Sequence, residues 1–107
     1  MAKKQAVKHD NDKIMLALTP PRAMFEMGKA FTDGARKYGW FNYRAGGITT
    51  VRACSAALRH IFKYLAGETL DPDSSTNVHH LGAAMASLGM AIENEAQEDD
   101  RYENKKR

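Results

Sequence analysis

The sequence predicts an all-α fold, a small bundle of three to four helices that oligomerisation completes. Three stretches of the chain place apolar residues at the three- and four-residue spacing of a helix. Segments rich in proline, glycine or polar residues separate them, and no stretch alternates apolar and polar residues long enough to predict a strand. A chain of 107 residues is one domain with a modest core, which a partner subunit would enlarge.

The composition is that of a soluble globular protein, with 43% hydrophobic and 27% charged residues. We find no apolar run long enough to cross a bilayer, and the first residues lack the apolar core of a signal peptide. The single cysteine, Cys54, cannot form an internal disulfide bond. We therefore expect a cytoplasmic protein with no membrane partner.

The chain divides into a polar N-terminal arm over residues 1–13, a helical domain over 14–96 and a charged tail over 97–107. The formal net charge is +3, and much of the basic excess lies in the two end segments. This charge allows an anionic ligand but does not require one.

The first helix is predicted over residues 20–38, with Thr19 as its N-cap and Pro20 at its first position. Gly39 is a C-terminal stop signal, and residues 39–48 form a loop rich in glycine and aromatic residues. One face of this helix carries Met24, Met27, Phe31, Ala35 and Tyr38.

The second helix is predicted to begin at Thr49 or Thr50 and to end at Gly67. Its continuous apolar stripe predicts the side that packs in the core. This stripe comprises Val51, Cys54, Leu58, Ile61, Phe62 and Leu65.

The third helix is predicted to begin near Asn77 and has two packing faces. The large apolar face comprises Val78, Leu81, Met85, Leu88 and Ile92. The face of small residues comprises Gly82, Ala83, Ala86 and Gly89. A small face lets another helix approach closely, and that helix belongs either to a partner chain or to this one.

A polar segment between the second and third helices carries candidate metal ligands. Glu68, Asp71 and Asp73 follow the second helix, and His80 opens the third. If these helices are antiparallel neighbours, the groups gather at one end of the bundle. His60 lies about two turns before Glu68, on a face distinct from the Leu58 stripe. Oxygen ligands suit Mg²⁺ or Mn²⁺, and an imidazole shifts the preference toward Mn²⁺ or another transition metal.

The same segment also has a purely structural interpretation. Residues 71–75 make a good turn, and Asp73 or Ser75 suits a helix cap. Adjacent residues on a helix point in different directions, so at most one of His79 and His80 faces a given site.

Residues 34–44 hold three cations, four aromatic residues and one amide. Cations neutralise phosphates, aromatic faces stack on bases, and an asparagine side chain can read a base edge. The alternative is that the aromatic side chains close the core of a small domain.

Three pieces of the chain, in this order, resemble the phage-type dATP/dGTP diphosphohydrolases, which are relatives of the MazG-like all-α nucleotide pyrophosphohydrolases. The pieces are KHDNDKIMLALTPPRAMFEM, FTDGARKYGWFNYRAG and AALRHIFKYLAGETLDPDSSTNVHHLGAAMASL. Their most specific motif is ALRH followed by GExxDxxS and then HHL. The GARKYGxxNY motif is nearly as informative.

The resemblance implies hydrolysis of a deoxynucleoside triphosphate, dGTP or dATP, to the monophosphate and pyrophosphate in phage nucleotide-pool remodelling. It also implies a Mg²⁺ or Mn²⁺ cofactor, a homo-oligomer, and the host cytoplasm if the chain is phage-encoded. Nucleic acid is not an expected partner under this interpretation.

The hypothesis assigns each candidate residue a role in this chemistry. The metal ligands are Glu68, Asp71 and His80, with help from His60. Glu68, Asp71 and Asp73 form the catalytic set, in which Asp73 orients the attacking water. Substrate contacts are assigned to Lys37, Arg59 and Lys13 for phosphate, and to Asn42 and Tyr43 for base or sugar.

The chain also departs from its relatives. It lacks the glutamate array of the MazG pattern, and related sequences often carry phenylalanine at Asp33, histidine near Ala83 and asparagine near Ser87. A catalytically inactive relative is therefore one alternative function. The other is a small basic module that binds single-stranded nucleic acid through residues 34–44.

Overall fold

The computed structural model is all-helical and describes residues 5–9 and 11–95. Its three α-helices are α1 (Pro21–Tyr38), α2 (Thr50–Leu65) and α3 (His80–Glu95). Single turns of 3-10 helix lie at Leu16–Leu18 and Asn42–Ala45. The described residues contain no β-strand, only one isolated bridge, so the predicted all-α class is confirmed.

The predicted C-terminal tail and part of the predicted N-terminal arm lie outside the residues that the structure describes. The charged tail predicted for residues 97–107 lies outside the described residues, as do positions 1–4 and 10 of the predicted arm. Within the described ranges, no helix is both long and apolar enough to cross a membrane.

The start of α1 differs from its prediction. Pro20 is the N-cap residue, and it supplies no side-chain hydrogen bond. The hydroxyl of Thr19 instead donates to the carbonyl of Leu16 at 2.7 Å and closes the preceding 3-10 turn. The predicted cap role of Thr19 is therefore wrong, because α1 begins one residue later than predicted and Pro20 occupies the N-cap position. Gly39 ends the helix as predicted, with φ at 100°.

The ends of α2 follow their sequence signals. The Thr49 side chain accepts a hydrogen bond from the Arg52 backbone N–H, as an N-cap residue does. Gly67 has a φ of 109°, and its N–H donates to the Tyr64 carbonyl just past the last turn.

The third helix begins at His80 and not near Asn77, which corrects the prediction. Asn77 has a φ of 55°, in the left-handed region, so it cannot continue a right-handed helix. His79 is held in an antiparallel bridge to Leu70. This pairing keeps the residues before His80 extended.

Helix α3 is the central helix and packs against both α1 and α2. Its small-residue face packs inside the chain: a Cβ atom placed on Gly82 would lie 2.7 Å from the backbone oxygen of Glu26 in α1. One placed on Gly89 would lie 2.8 Å from the terminal methyl of Met27. Of the two interpretations of this face, the internal one is therefore correct.

The core consists almost entirely of small side chains, namely Ala53, Ala57, Val78, Ala83, Ala84, Ala86 and Ala91. On α2, the helix turns Ala53 and Ala57 toward α3, and much of the predicted stripe faces outward. Leu58, Phe62 and Leu65 are exposed, so the prediction that they face the core of this chain is wrong. Close helix approach over alanine and glycine leaves no room between the helices for larger side chains.

Candidate functional site

The polar segment between α2 and α3 folds back on itself as a short hairpin. The isolated bridge pairs Leu70 with His79. The N–H of Asp71 donates to the Val78 carbonyl at 2.8 Å, and the N–H of His80 donates to the Thr69 carbonyl at 2.9 Å. This pairing brings the acids that follow α2 beside the histidine that opens α3.

His60, Asp71 and His80 form a cluster whose donor atoms all lie within 4.8 Å of one another. The Nδ1 atoms of His60 and His80 are 2.9 Å apart. His80 is fully buried and is the largest such side chain in the described chain. Because α2 and α3 are antiparallel, one residue from each helix and one from the hairpin meet at a single point.

Glu68 binds the opposite ring nitrogen of His80. Its Oε1 lies 2.7 Å from Nε2 of His80, away from the Nδ1 that faces His60. An ionised carboxylate only accepts hydrogen bonds, so Nε2 of His80 donates, and in the neutral ring this tautomer leaves the lone pair on Nδ1. A carboxylate behind a histidine is the usual arrangement that fixes the tautomer of a metal-binding imidazole.

Asp71 serves both the turn and the cluster. Its Oδ1 accepts the N–H of Asp73 at 3.0 Å, and its backbone carbonyl accepts the Ser74 hydroxyl at 2.7 Å. The turn expected on structural grounds is therefore present, and it orients the same side chain that joins the two histidines.

His60 is held in its neutral form. Burial lowers the pKa of His60, and the neighbouring His80 lowers it further. A neutral imidazole is the form that binds a metal ion, so this shift reduces competition from protons.

A carboxylate from α1 holds the tip of the hairpin. Asp33, only 7% exposed, accepts the N–H of Ser75 at 2.9 Å and the Ser75 hydroxyl at 2.7 Å. Lys37 forms an ion pair with its other oxygen at 3.1 Å and donates to the Asp73 carbonyl at 3.2 Å. We call Asp33, Lys37 and Ser75 the α1 clamp.

The clamp shifts the pKa of both charged groups. Burial raises the pKa of Asp33, but the bonds from Ser75 and Lys37 together outweigh it and hold that pKa below the ordinary 3.8. The hydrogen bond to Asp33 raises the pKa of Lys37. Sequence reasoning missed this clamp, although the four-residue spacing of Asp33 and Lys37 was a visible signal for the ion pair.

The cluster is chemically suited to a divalent transition metal. Two imidazoles and one carboxylate favour Mn²⁺ or a similar ion over Mg²⁺, which prefers an all-oxygen shell. The 2.9 Å between the two Nδ1 atoms is the length of a hydrogen bond between the imidazoles, which a bound ion would replace. The types of residue that meet here therefore fit such an ion.

The other candidate residues are distributed around this cluster. Asp73 contributes backbone contacts to the turn and the clamp. Arg59 is exposed and lines a polar cleft of about 400 Å³ with Arg52 and Ser55. Lys13 is exposed and joins neither the cluster nor that cleft within the described residues.

His79 takes no place in the cluster, as expected for one of two adjacent histidines. Its Nδ1 accepts the N–H of Leu81 at 3.0 Å, and its ring packs against Tyr64. Ala83 is buried and Ser87 half-buried on α3, so both departures from related sequences lie along the central helix.

Asn42 and Tyr43 lie at a second feature, an open cavity of about 670 Å³ beside the end of α1. Its aromatic lining is Phe31, Tyr38, Trp40, Phe41 and Tyr43, and its other lining residues are Gly34, Ala35, Gly39, Asn42, Ile48 and Met90. The guanidinium of Arg44 lies 4.5 Å from the ring centre of Phe41. The four aromatic residues singled out in the sequence thus share one cavity.

Comparison with known proteins gives two matches. A family model described as "dATP/dGTP diphosphohydrolase, N-terminal" matches residues 3–104. A protein of Salmonella phage PMBT28 named "dATP/dGTP diphosphohydrolase" is 30% identical over 98 residues, which cover 89% of this chain and 32% of that protein. The chain thus spans about a third of the length of this curated relative. No solved structure matches.

Proposed function

Because this chain belongs to the dATP/dGTP diphosphohydrolase N-terminal family, we propose that it carries out metal-dependent hydrolysis of a purine deoxynucleoside triphosphate. The substrate would be dGTP or dATP, and the products the monophosphate and pyrophosphate, in phage nucleotide-pool remodelling. One observation carries the proposal: ligand atoms of His60, Asp71 and His80 converge within 4.8 Å of one another at the HHL motif, with His80 fully buried. The resemblance to the MazG-like pyrophosphohydrolases is the reason for proposing this reaction.

In this proposal His60, Asp71 and His80 hold the ion, and Glu68 orients His80 from behind. When bound, a divalent ion there neutralises triphosphate charge and acidifies water. His80 is buried and its Nε2 is bonded to Glu68, so its ring cannot rotate without breaking a charge-assisted bond. The hairpin pairing then keeps Asp71 in register with the two imidazoles.

The remaining polar residues receive the roles that their positions permit. Asp73 is exposed beside Asp71, where its carboxylate can accept a proton from a water or orient it. Arg59 is exposed, and its charge lies close enough to contribute to the lowered pKa of His60, so it suits a phosphate oxygen beside the cluster. Lys37 is already bonded to Asp33 and Asp73, and its role is to hold the hairpin more than to bind phosphate.

We further propose that the active form is a homo-oligomer in the host cytoplasm. Leu65 is 73% exposed and Phe62 63% exposed, and Leu58 continues the same stripe of α2. An exposed apolar stripe of this kind is typical of a surface that a partner covers. A second copy packed there would enlarge a core that is otherwise built from alanine.

The decisive experiment compares Asp71→Asn with Asp12→Asn, a matched loss of one carboxylate at an exposed position outside the cluster. Pyrophosphate release from dGTP and dATP is measured with Mn²⁺ and with Mg²⁺, and Mn²⁺ affinity is measured separately by titration calorimetry. Asp71→Asn should lose turnover and weaken Mn²⁺ binding, while Asp12→Asn matches the wild type. Full turnover by Asp71→Asn would refute the proposed site.

Glu68→Gln separates the two possible roles of Glu68. If Glu68 orients His80, the glutamine still accepts the Nε2 hydrogen bond, and Mn²⁺ affinity falls by about 10- to 100-fold. If Glu68 is itself a ligand, as the sequence predicts, the Mn²⁺ affinity of Glu68→Gln falls as far as that of Asp71→Asn. Salt-sensitive oligonucleotide binding without any turnover would instead favour the nucleic-acid module.

A further inference from the structure

The aromatic cavity at the end of α1 is a feature that the metal cluster does not use. Its volume of about 670 Å³ lies in the range of small-molecule sites. Ring faces dominate the lining, and the amide of Asn42 is a polar group that can give direction to a ligand. Mostly apolar walls with few placed polar groups suit a flat heteroaromatic ligand.

The backbone around this cavity adopts conformations that most residues avoid. Gly39 and Gly46 have φ values of 100° and 93°, which glycine alone adopts readily. Phe41 has a φ of 58°, in the left-handed region, although it is a bulky residue. Strain of this kind concentrates at ligand sites, and here it places the Phe41 ring in the cavity wall.

Charge around the cavity favours an anionic ligand. The guanidinium of Arg44 packs on the lining residues Phe41 and Tyr43. None of the lining residues is acidic, so a ligand with a phosphate tail meets the Arg44 cation and no carboxylate of the lining.

Helix α3 contributes a residue both to the cavity and to the metal cluster. Met90 lines the cavity and His80 belongs to the cluster, and both are in α3. Ten residues of helix rise about 15 Å along the helix axis. This axial rise is comparable to the length of an extended nucleoside triphosphate.

We propose that this cavity binds the purine base of the nucleotide, while the phosphates extend toward the metal cluster. This inference rests on the proposed function and adds the site of base selection. A purine offers a larger face than a pyrimidine to Tyr38, Trp40 and Phe41, and Asn42 can hydrogen-bond to its edge. Preference for purines then arises from stacking area in this cavity.

Trp40 provides a direct probe, because it is the single tryptophan of the chain and lines the cavity. Its fluorescence is followed during titration with deoxyguanosine monophosphate, deoxycytidine monophosphate or inorganic tripolyphosphate, without added metal. The purine nucleotide should quench the signal saturably and at least several-fold more tightly than the pyrimidine. Tripolyphosphate should leave the emission unchanged.

Variants test which side chains are responsible. Tyr38→Ala and Asn42→Ala should each weaken binding of deoxyguanosine monophosphate, the first by roughly ten-fold, as expected when one stacking partner of a base is removed. Phe25→Ala is the matched control, because Phe25 is also an exposed aromatic residue of α1, 76% exposed against 69% for Tyr38. It lies outside the cavity and should bind normally.

Equal binding of purine and pyrimidine, or unchanged affinity in Tyr38→Ala, would overturn the inference. A changed sedimentation coefficient in Tyr38→Ala with normal nucleotide affinity would also overturn it and make this face a contact between copies. Different outcomes refute the proposed reaction and the proposed base site. Purine binding that persists without turnover refutes only the proposed reaction, whereas turnover with an unchanged KM in Tyr38→Ala refutes only the base site.

Discussion

Replacing Asp33 with alanine should destabilise the protein by about 1–3 kcal/mol, since hydrogen bonds to a charged group contribute about 1.5–3 kcal/mol each, are not additive, and here are part-buried with an exposed Ser75 as donor. The carboxylate accepts two bonds from Ser75 in a setting that is 7% exposed. Its ion pair with Lys37 adds little, because the lysine side chain is 40% exposed and screened by water. The loss is therefore dominated by the Ser75 groups left without this acceptor.

Urea denaturation followed by circular dichroism measures this loss directly. Thr32→Ala is the adjacent control, since Thr32 is exposed on α1 and bonds only within its own helix at Gly28, and surface changes of this kind stay within about 0.5 kcal/mol. The loss of unfolding free energy in Asp33→Asn should lie between those of Asp33→Ala and Thr32→Ala, because the amide oxygen can still accept from Ser75. If Asp33→Ala unfolded with the same free energy as Thr32→Ala, the clamp would not stabilise the fold.

The remaining predictions concern pH, helix packing and assembly. The folded-state pKa of Asp33 lies below its ordinary 3.8, so its contribution is complete above that value and is lost as pH falls through the lower folded-state pKa. The difference in free energy of unfolding between wild type and Asp33→Asn should therefore narrow as pH falls below 3.8, as denaturation at each pH will show. Gly82→Ala should destabilise by about 1–3 kcal/mol because its Cβ would meet the Glu26 backbone at 2.7 Å. In contrast, Gly28→Ala meets nothing within 4 Å and should gain up to about 1 kcal/mol in thermal or urea unfolding. Phe62→Glu should shift sedimentation toward monomer, and an unchanged sedimentation coefficient would exclude the α2 stripe as the interface.

Several elements could be predicted from local sequence alone because their causes are local. Apolar spacing, the Thr49 cap and the glycines at positions 39 and 67 placed the ends of α1 and α2 within two residues. The start of α3 was misplaced because its cause is the pairing of Leu70 with His79, nine positions apart, which no local pattern shows.

Part of the candidate site could be predicted from the sequence. Histidines and acids flanking a turn pointed to His60, Asp71 and His80, and the structure brings these three together. The position of Glu68 behind His80 was not visible, because ring orientation depends on which nitrogen each neighbour reaches. The aromatic residues of positions 38–43 were visible as a group, but their common cavity was not.

Residue spacing along this chain was enough to establish the helices, their number and the family motifs, since a helix forms through contacts a few residues apart. Which helix face points inward was decided only by packing. The large apolar stripe of α2 looked like the core, yet the glycines of α3 face α1 and half of the stripe, Leu58, Phe62 and Leu65, is exposed. Likewise Asp33 and Ser75 are 42 positions apart. Contacts between such distant residues depend on how closely backbones approach, and that distance is set by the whole assembly of side chains and by no segment alone.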